Sequence, residues 1–357
     1  MNQSTDIIII GGGIIGLSLA VELKLRSASG SLTVLSRNFS EAAAHVAAGM
    51  LAPQAEAIDS APMLDLCLRS RAMYTDWTSK LESLTGIETG YWQCGILAPV
   101  YQTPEQITAF WLNKDAIHQF QPNLGSEIVG GWWYPEDAQV DNRRALATAL
   151  KIAAIALGVD LRENVEVQAI PQHQSQVTTL ITNQGEFSAS HYILAAGAWA
   201  GNLLSVPVYP IKGQMLSVRV PNSFSELPLQ RILFGDNCYI VPRRDGLIAI
   251  GATVEDVGFE PEMTPAGVNT LLNRAIRLYP LLKDFPIQEF WWGFRPATPD
   301  ELPILGASPL TNLTFATGHY RNGILLAPIT AKLITDLILE GKSDRLLEAF
   351  RWDRFRN

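Results

Sequence analysis

Gly11-Gly12-Gly13-Ile14-Ile15-Gly16 forms a G-x-G-x-x-G run between a β-branched stretch and an apolar helical pattern. That spacing suits phosphate binding. Gly11 permits the tight turn, Gly13 lets the backbone approach a pyrophosphate, and Gly16 lets helix pack close to strand. The helix that follows offers unpaired N–H groups and the positive end of its dipole. A glycine-rich turn with a packing role alone is the competing reading, and the correct flanks on both sides favour a dinucleotide. The second strand should end in an acid for the ribose hydroxyls, but Ser36 and Arg37 stand there. Ser36 hydrogen-bonds a hydroxyl more weakly than a carboxylate does, and Arg37 would suit a 2′-phosphate. The fingerprint alone leaves FAD and NAD(P) open.

These residues need elements to hold them. Ile7–Ile10 reads as a buried parallel strand, Ile14–Leu25 as a helix and Leu32–Leu35 as a second strand, together a βαβ unit. Residues 62–85 predict a long amphipathic helix with Leu66, Met73, Trp77, Leu81 and Leu84 on one face. Residues 86–137 read as strands and loops. Asp141 is placed to cap a helix through Ala145–Leu157, with Gly158 as its stop. Short strands are expected near 165–170 and 177–182, and Ile193–Gly197 reads as a buried strand ending in glycine. Alternating runs within 207–292 predict an antiparallel sheet interrupted by a helix near 265–279. Leu313–Thr317 reads as a strand. Ile324–Glu340 reads as a helix with Pro328 in its first turn and Gly341 after its end.

Composition narrows the class. The chain has 357 residues, 47% hydrophobic and 17% charged, which excludes wholesale disorder. Its net charge of −8 argues against a nucleic-acid or anionic-membrane surface. Cys67, Cys94 and Cys238 lie far apart and give neither a disulfide framework nor a structural zinc pattern. The early apolar run is short, glycine-broken and without a basic start, so a cytoplasmic protein is expected.

Four further segments carry a resemblance. They are Ala47–Pro53 (AAGMLAP), Cys238–Arg243 (CYIVPR), Trp292–Asp300 (WGFRPATPD) and Gly318–Pro328 (GHYRNGILLAP). With the N-terminal fingerprint, and in this order over essentially the whole chain, they resemble the D-amino-acid-oxidase superfamily of flavoenzymes. Within it the likeness is to the glycine oxidases of thiamine biosynthesis. The resemblance implies an α/β (α+β) fold: a Rossmann-type FAD-binding domain with an inserted antiparallel-sheet substrate domain. On that basis 1–85, 138–206 and 293–357 are expected to form the FAD domain, and 86–137 with 207–292 the substrate domain.

The resemblance also implies site residues. Arg295 would grip the substrate carboxylate, Tyr239 would orient it, and Arg321 would lie at the substrate. Expected FAD contacts are Gly11, Gly13, Ile14, Ile15 and Gly16 at the pyrophosphate, with Ser36, Arg37 and Val165 toward the adenosine end. Ala48, Gly49, Met50 and Gly197 would pass beside the cofactor, and His319, Tyr320, Arg321, Asn322, Gly323, Ile324 and Leu325 would wrap the flavin. Relatives often carry a hydroxyl where Ala44 stands, and Val254 lies in a pocket segment that varies among them. Gly293 stands where sarcosine oxidases carry a flavin-bonding cysteine, so FAD is expected to be non-covalent.

Chemistry supports these roles independently. A guanidinium fork binds a carboxylate bidentately and keeps its charge, and a Tyr hydroxyl adds one directed hydrogen bond. A helix N-terminus near Ile324 would favour negative charge on a reduced flavin. No side-chain base is named, because the flavin would accept hydride directly from the amine substrate. The implied activity is oxidation of glycine, sarcosine and small D-amino acids by O2, giving hydrogen peroxide, an oxo acid and ammonia. The alternatives are a D-amino-acid or secondary-amine dehydrogenase that passes electrons to a quinone or carrier, and a non-catalytic dinucleotide-binding module. No nucleic-acid or membrane partner is expected, and a homo-oligomer is left open.

Overall fold

A computed structural model describes residues 3–27, 29–107, 109–141 and 145–356. The β-branched run forms the strand Gln3–Ile10 in the middle of an eight-stranded sheet. It pairs in parallel with Leu32–Leu35 on one side and Gly185–Leu194 on the other. Leu313–Thr317 and Asp160–Arg162 extend the parallel set, and Ile304–Ala307 closes one edge antiparallel. Ile8, Ile9, Val34, Ile193 and Leu194 are fully buried, as strands covered on both faces require.

Helix Ile14–Arg26 follows the glycine turn and packs on Gly323–Glu340 and Ala147–Ala156. The long helix is Ala61–Thr85, and of its predicted face Leu66 and Leu81 are buried and Met73 and Trp77 pack against the core. Met63, Leu66, Cys67, Ser70, Tyr74, Thr78 and Leu81 face inward, while Leu84 is exposed. Small and hydroxylated residues on that face allow close approach to Gly323–Glu340. The helix after Asp141 spans Ala147–Ala156, with Gly158 left-handed beyond it. The predicted start of that helix falls partly on residues 142–144, outside the described residues.

Pro328 sits inside helix Gly323–Glu340 rather than in its first turn. Proline lacks an N–H, so the carbonyl of Ile324 loses its helical partner. The hydroxyl of Tyr74 donates to that carbonyl, and Ser70 Oγ donates to the carbonyl of Leu325 at 2.5 Å. The long helix thereby repairs the interrupted ladder in a fully buried place. Tyr74→Phe should therefore lower unfolding stability by about 1–3 kcal/mol, since a buried acceptor is left alone. Urea denaturation measures this, and an unchanged midpoint would remove Tyr74 from that role.

The second eight-stranded sheet runs in the order Ile287–Ala297, Tyr209–Arg219, Leu247–Gly251, Cys238–Pro242, Ile232–Gly235, Ile96–Val100, Gly130–Tyr134, Trp111–Asn113. It is antiparallel except where Ile232–Gly235 pairs in parallel with Ile96–Val100. That parallel pair joins segments distant in sequence, so the alternation within 207–292 could not reveal it. Helix Pro265–Leu278 covers one face, its N-terminus capped by the Thr264 hydroxyl on the Gly267 N–H at 3.1 Å. No described helix is long and apolar enough to cross a membrane.

Candidate active site

Both sheets contribute to one cavity of about 870 Å³, within the usual size of a small-molecule site. One end is the glycine turn. A Cβ at Gly11 would lie 2.3 Å from the carbonyl oxygen of Ala195, and φ there is +115°. A Cβ at Gly16 would lie 1.9 Å from the carbonyl oxygen of Gly11. Gly13 differs: the nearest atom to its Cβ would be 3.7 Å away, on Ala42. The chain itself does not crowd Gly13, which lines the cavity. A glycine there is explained by close approach from the cavity side.

Helix Ile14–Arg26 has no side-chain cap and no acid in its first turn, and neither does Gly323–Glu340. Ile14 and Ile15 of one and Gly323 and Ile324 of the other line the same cavity. Two uncapped helix N-termini thus meet it, each suited to negative charge. Ser36, Arg37 and Val165 border the end beyond the glycine turn. The Val165 N–H donates to the carbonyl of Ser36 at 3.0 Å, and the Arg37 guanidinium lies 4.8 Å from the Trp199 ring centre. Trp199 also lines the cavity and was not singled out from sequence.

The other end is built on the second sheet. Arg295 stands opposite Ile211 on the paired strands Ile287–Ala297 and Tyr209–Arg219. Its Nη1 donates to the carbonyl of Thr253 at 3.1 Å and to that of Lys212 at 3.4 Å. Among the described residues no carboxylate forms an ion pair with Arg295. A side chain at Gly213 would meet the Arg295 guanidinium at 2.5 Å. Tyr239 stands opposite Gly251, where a Cβ would meet the ring at 2.5 Å. The two glycines clear the space that the two side chains use. Burial holds the Tyr239 phenol above the usual range, against the pull of the Arg295 charge, so it stays a neutral hydroxyl. Its hydroxyl also lies 3.7 Å from Met215 Sδ.

Of the other expected site residues, Ala48, Gly49, Met50, Gly197, His319, Tyr320 and Arg321 line the cavity. Ala44 and Val254 lie on the same wall. Arg321 is exposed and donates to the Tyr320 hydroxyl at 3.1 Å. Gly16, Asn322 and Leu325 are not on the wall. Gly16 packs helix on strand, Leu325 is buried beneath the long helix, and Asn322 is buried at the start of helix Gly323–Glu340. Glu56 lines the cavity and was missed in the sequence. The available signal was a carboxylate three residues beyond the segment Ala47–Pro53.

His319 is buried and shares a hydrogen bond with Thr330 Oγ1 at 3.1 Å. Burial pushes it down to about 3, so the ring is neutral at physiological pH, with one N–H and one acceptor nitrogen. The unfolded chain binds a proton at His319 near pH 6.5, whereas the folded chain does not. Its contribution to stability is therefore lost as pH falls from about 6.5 toward 3, at up to about 1.4 kcal/mol per pH unit. Glu56 and Asp137 are raised by burial to about 7 and about 6, so their contributions run the other way. The difference between wild type and His319→Gln isolates the histidine. Wild type should lose more stability than the variant between pH 6.5 and 4, read from urea midpoints. Parallel pH profiles would contradict this.

The match to a family model decides the class: residues 6–337 fit the model described as "FAD dependent oxidoreductase". The chain belongs to the FAD-dependent oxidoreductase family. A bifunctional protein ThiO/ThiG of Trichormus variabilis is 63% identical over 99% of this chain and 56% of its own length. The chain thus spans about half the length of that relative. A glycine oxidase of Geobacillus kaustophilus is 36% identical over 95% of this chain and 94% of its own. The crystal structure of glycine oxidase from the same organism superposes with a TM-score of 0.91 at 34% identity, covering 100% of both chains. The α/β fold with a large, mainly antiparallel second sheet is accordingly that of the family. In this FAD-dependent oxidoreductase, the uncrowded Gly13 and the uncapped helix ends fit a pyrophosphate and an electron-accepting ring.

Proposed function

We propose that this chain oxidises glycine and other small amines, including sarcosine and small D-amino acids. The observation that carries the proposal is Arg295: a guanidinium with no ion-pair partner among the described residues, tethered to two carbonyls in the cavity that Tyr239 also lines. Such a fork receives a carboxylate bidentately. The Tyr239 hydroxyl adds a directed contact, and Arg321 stands on the same wall. FAD would supply the hydride acceptor and, through O2, the route to hydrogen peroxide.

The residues' task is then positioning. Arg295 and Tyr239 fix the carboxylate, so the α-carbon of a small substrate has one orientation. His319, held neutral by burial, is given no acid or base role, and no side-chain base is assigned. Gly11, Gly13, Ile14 and Ile15 would hold the pyrophosphate, and Ser36, Arg37 and Val165 the adenosine end. Ala48, Gly49, Met50, Gly197, Tyr320, Gly323 and Ile324 would flank the flavin. We read the first sheet with its helices as the FAD-binding domain and the second sheet as the substrate domain. Of the cysteines, Cys238 borders the cavity, but burial pushes its thiol up to about 12, which supports non-covalent FAD. The product, an imine that hydrolyses to an oxo acid such as glyoxylate and ammonia, would serve thiamine biosynthesis.

A panel of glycine, sarcosine, D-alanine and D-proline, read by peroxide release in air, tests the reading. Peroxide formed in step with glyoxylate from glycine is expected. Flavin that stays reduced in air would instead favour a dehydrogenase serving a quinone or carrier, and no flavin reduction by any of the four would end the proposal.

A further inference from the structure

A zwitterion has two charged ends, and Arg295 answers one of them. The cavity wall also carries Glu41, Glu56, Glu166 and Asp236, but Glu41, Glu166 and Asp236 are exposed. Glu56 is the half-buried carboxylate of this set.

Its place is built, not incidental. The Glu56 N–H donates to the carbonyl of Ala52 at 3.0 Å, and the next residue, Ala57, takes a left-handed φ of 47°. The Ala55 N–H donates to Asp137 Oδ2 at 3.0 Å. Arg71 clamps Asp137 Oδ1 at 2.6 Å and Gln54 Oε1 at 2.7 Å. Asn322, at the start of helix Gly323–Glu340, favours the Glu56 anion. Arg321 and Arg295 both act on Glu56 through their charge, yet neither forms an ion pair with it among the described residues.

We propose that Glu56 is the acceptor for the substrate's amino group and sets the requirement for an amine. The inference rests on the proposed amine-oxidase reading. A bound ammonium needs acceptors once it leaves water, and a carboxylate and a guanidinium that line one cavity without pairing match the two ends of an α-amino acid. The groups that face Glu56 are Arg321, Arg295 and Asn322, which favour its anion, and Asp137, Tyr239 and Cys67, which disfavour it. Withdrawal from water leads this balance and raises the carboxyl to about 7. Glycine should therefore bind more tightly as pH rises from 6 to 8, where Glu56 ionises and the ligand is still a zwitterion.

The test uses the FAD-loaded enzyme, reduced under argon so that glycine cannot turn over. Calorimetry measures the Kd of glycine and of glycolate, which keeps the carboxylate and lacks the amine. Glu56→Gln should weaken glycine about 10- to 100-fold and change glycolate less than about threefold. The pH dependence of glycine binding between 6 and 8 should flatten. Glu56→Asp should recover part of the glycine affinity, and the spectrum of bound FAD controls for folding. Equal weakening of both ligands would make Glu56 a support for Arg295 and overturn the inference, as would unchanged glycine binding. Wild type that binds neither ligand would defeat the substrate-site reading, and this inference with it.

Discussion

Arg295→Lys is expected to raise the KM for glycine at least about 100-fold while FAD remains bound. The reason is geometric. The guanidinium is tied at 3.1 Å to the carbonyl of Thr253 and at 3.4 Å to that of Lys212, so its plane is set before substrate arrives. A lysine brings one point charge on a flexible stem and cannot form the paired N–H···O contacts. Removing one partner of a desolvated charge pair costs about 2–5 kcal/mol, and about 3 kcal/mol is already more than 100-fold. The cofactor contacts assigned above lie elsewhere on the wall, so flavin content should not change. Steady-state peroxide release gives KM, and absorbance of the purified protein gives the FAD content. Unchanged glycine kinetics would show that the carboxylate is held by something else.

The second large effect separates two glycines of one motif. Gly13→Val should leave the fold intact and weaken FAD at least about 100-fold. Gly16→Val should destabilise the protein itself. At Gly13 the backbone is extended (φ −76°, ψ −177°), a conformation open to any residue, and the nearest atom to a new Cβ is 3.7 Å away. The added bulk projects toward the place of the pyrophosphate. At Gly16 a new Cβ would meet the Gly11 carbonyl oxygen at 1.9 Å, a backbone atom that cannot swing aside. Helix and strand must separate, and overpacking of this kind costs about 1–3 kcal/mol or more. Thermal melts of the FAD-free proteins should place Gly13→Val near wild type and Gly16→Val clearly below. The opposite order would reverse the roles assigned to the two positions.

Much of the fold was legible because its signals are local. Four consecutive isoleucines, three glycines and an apolar helical pattern follow one another without interruption. The structure returns them as strand, turn and helix. The long helix was legible as a helix and in most of its apolar face, but not in Cys67, Ser70 and Thr78, which are buried with it. Apolar periodicity cannot report a face that hydroxyls occupy for close packing and hydrogen bonding. Pro328 was misplaced for a related reason: its helical carbonyl is served by Tyr74, from a segment 250 residues away.

The site divides along the same line. Local patterns alone marked a glycine turn between strand and helix, and marked Arg295 and Tyr239 as candidates that the structure brings to one cavity with it. Short-range patterns suffice for that. Three-dimensional packing was needed to show that Arg295 has carbonyls and, among the described residues, no carboxylate for partners, and that Gly213 clears its space as Gly251 clears that of Tyr239. It alone brought Glu56 to the same cavity on a turn held by Asp137 and Arg71. Those facts depend on strand register and on loops from distant parts of the chain meeting in space, which no local pattern encodes.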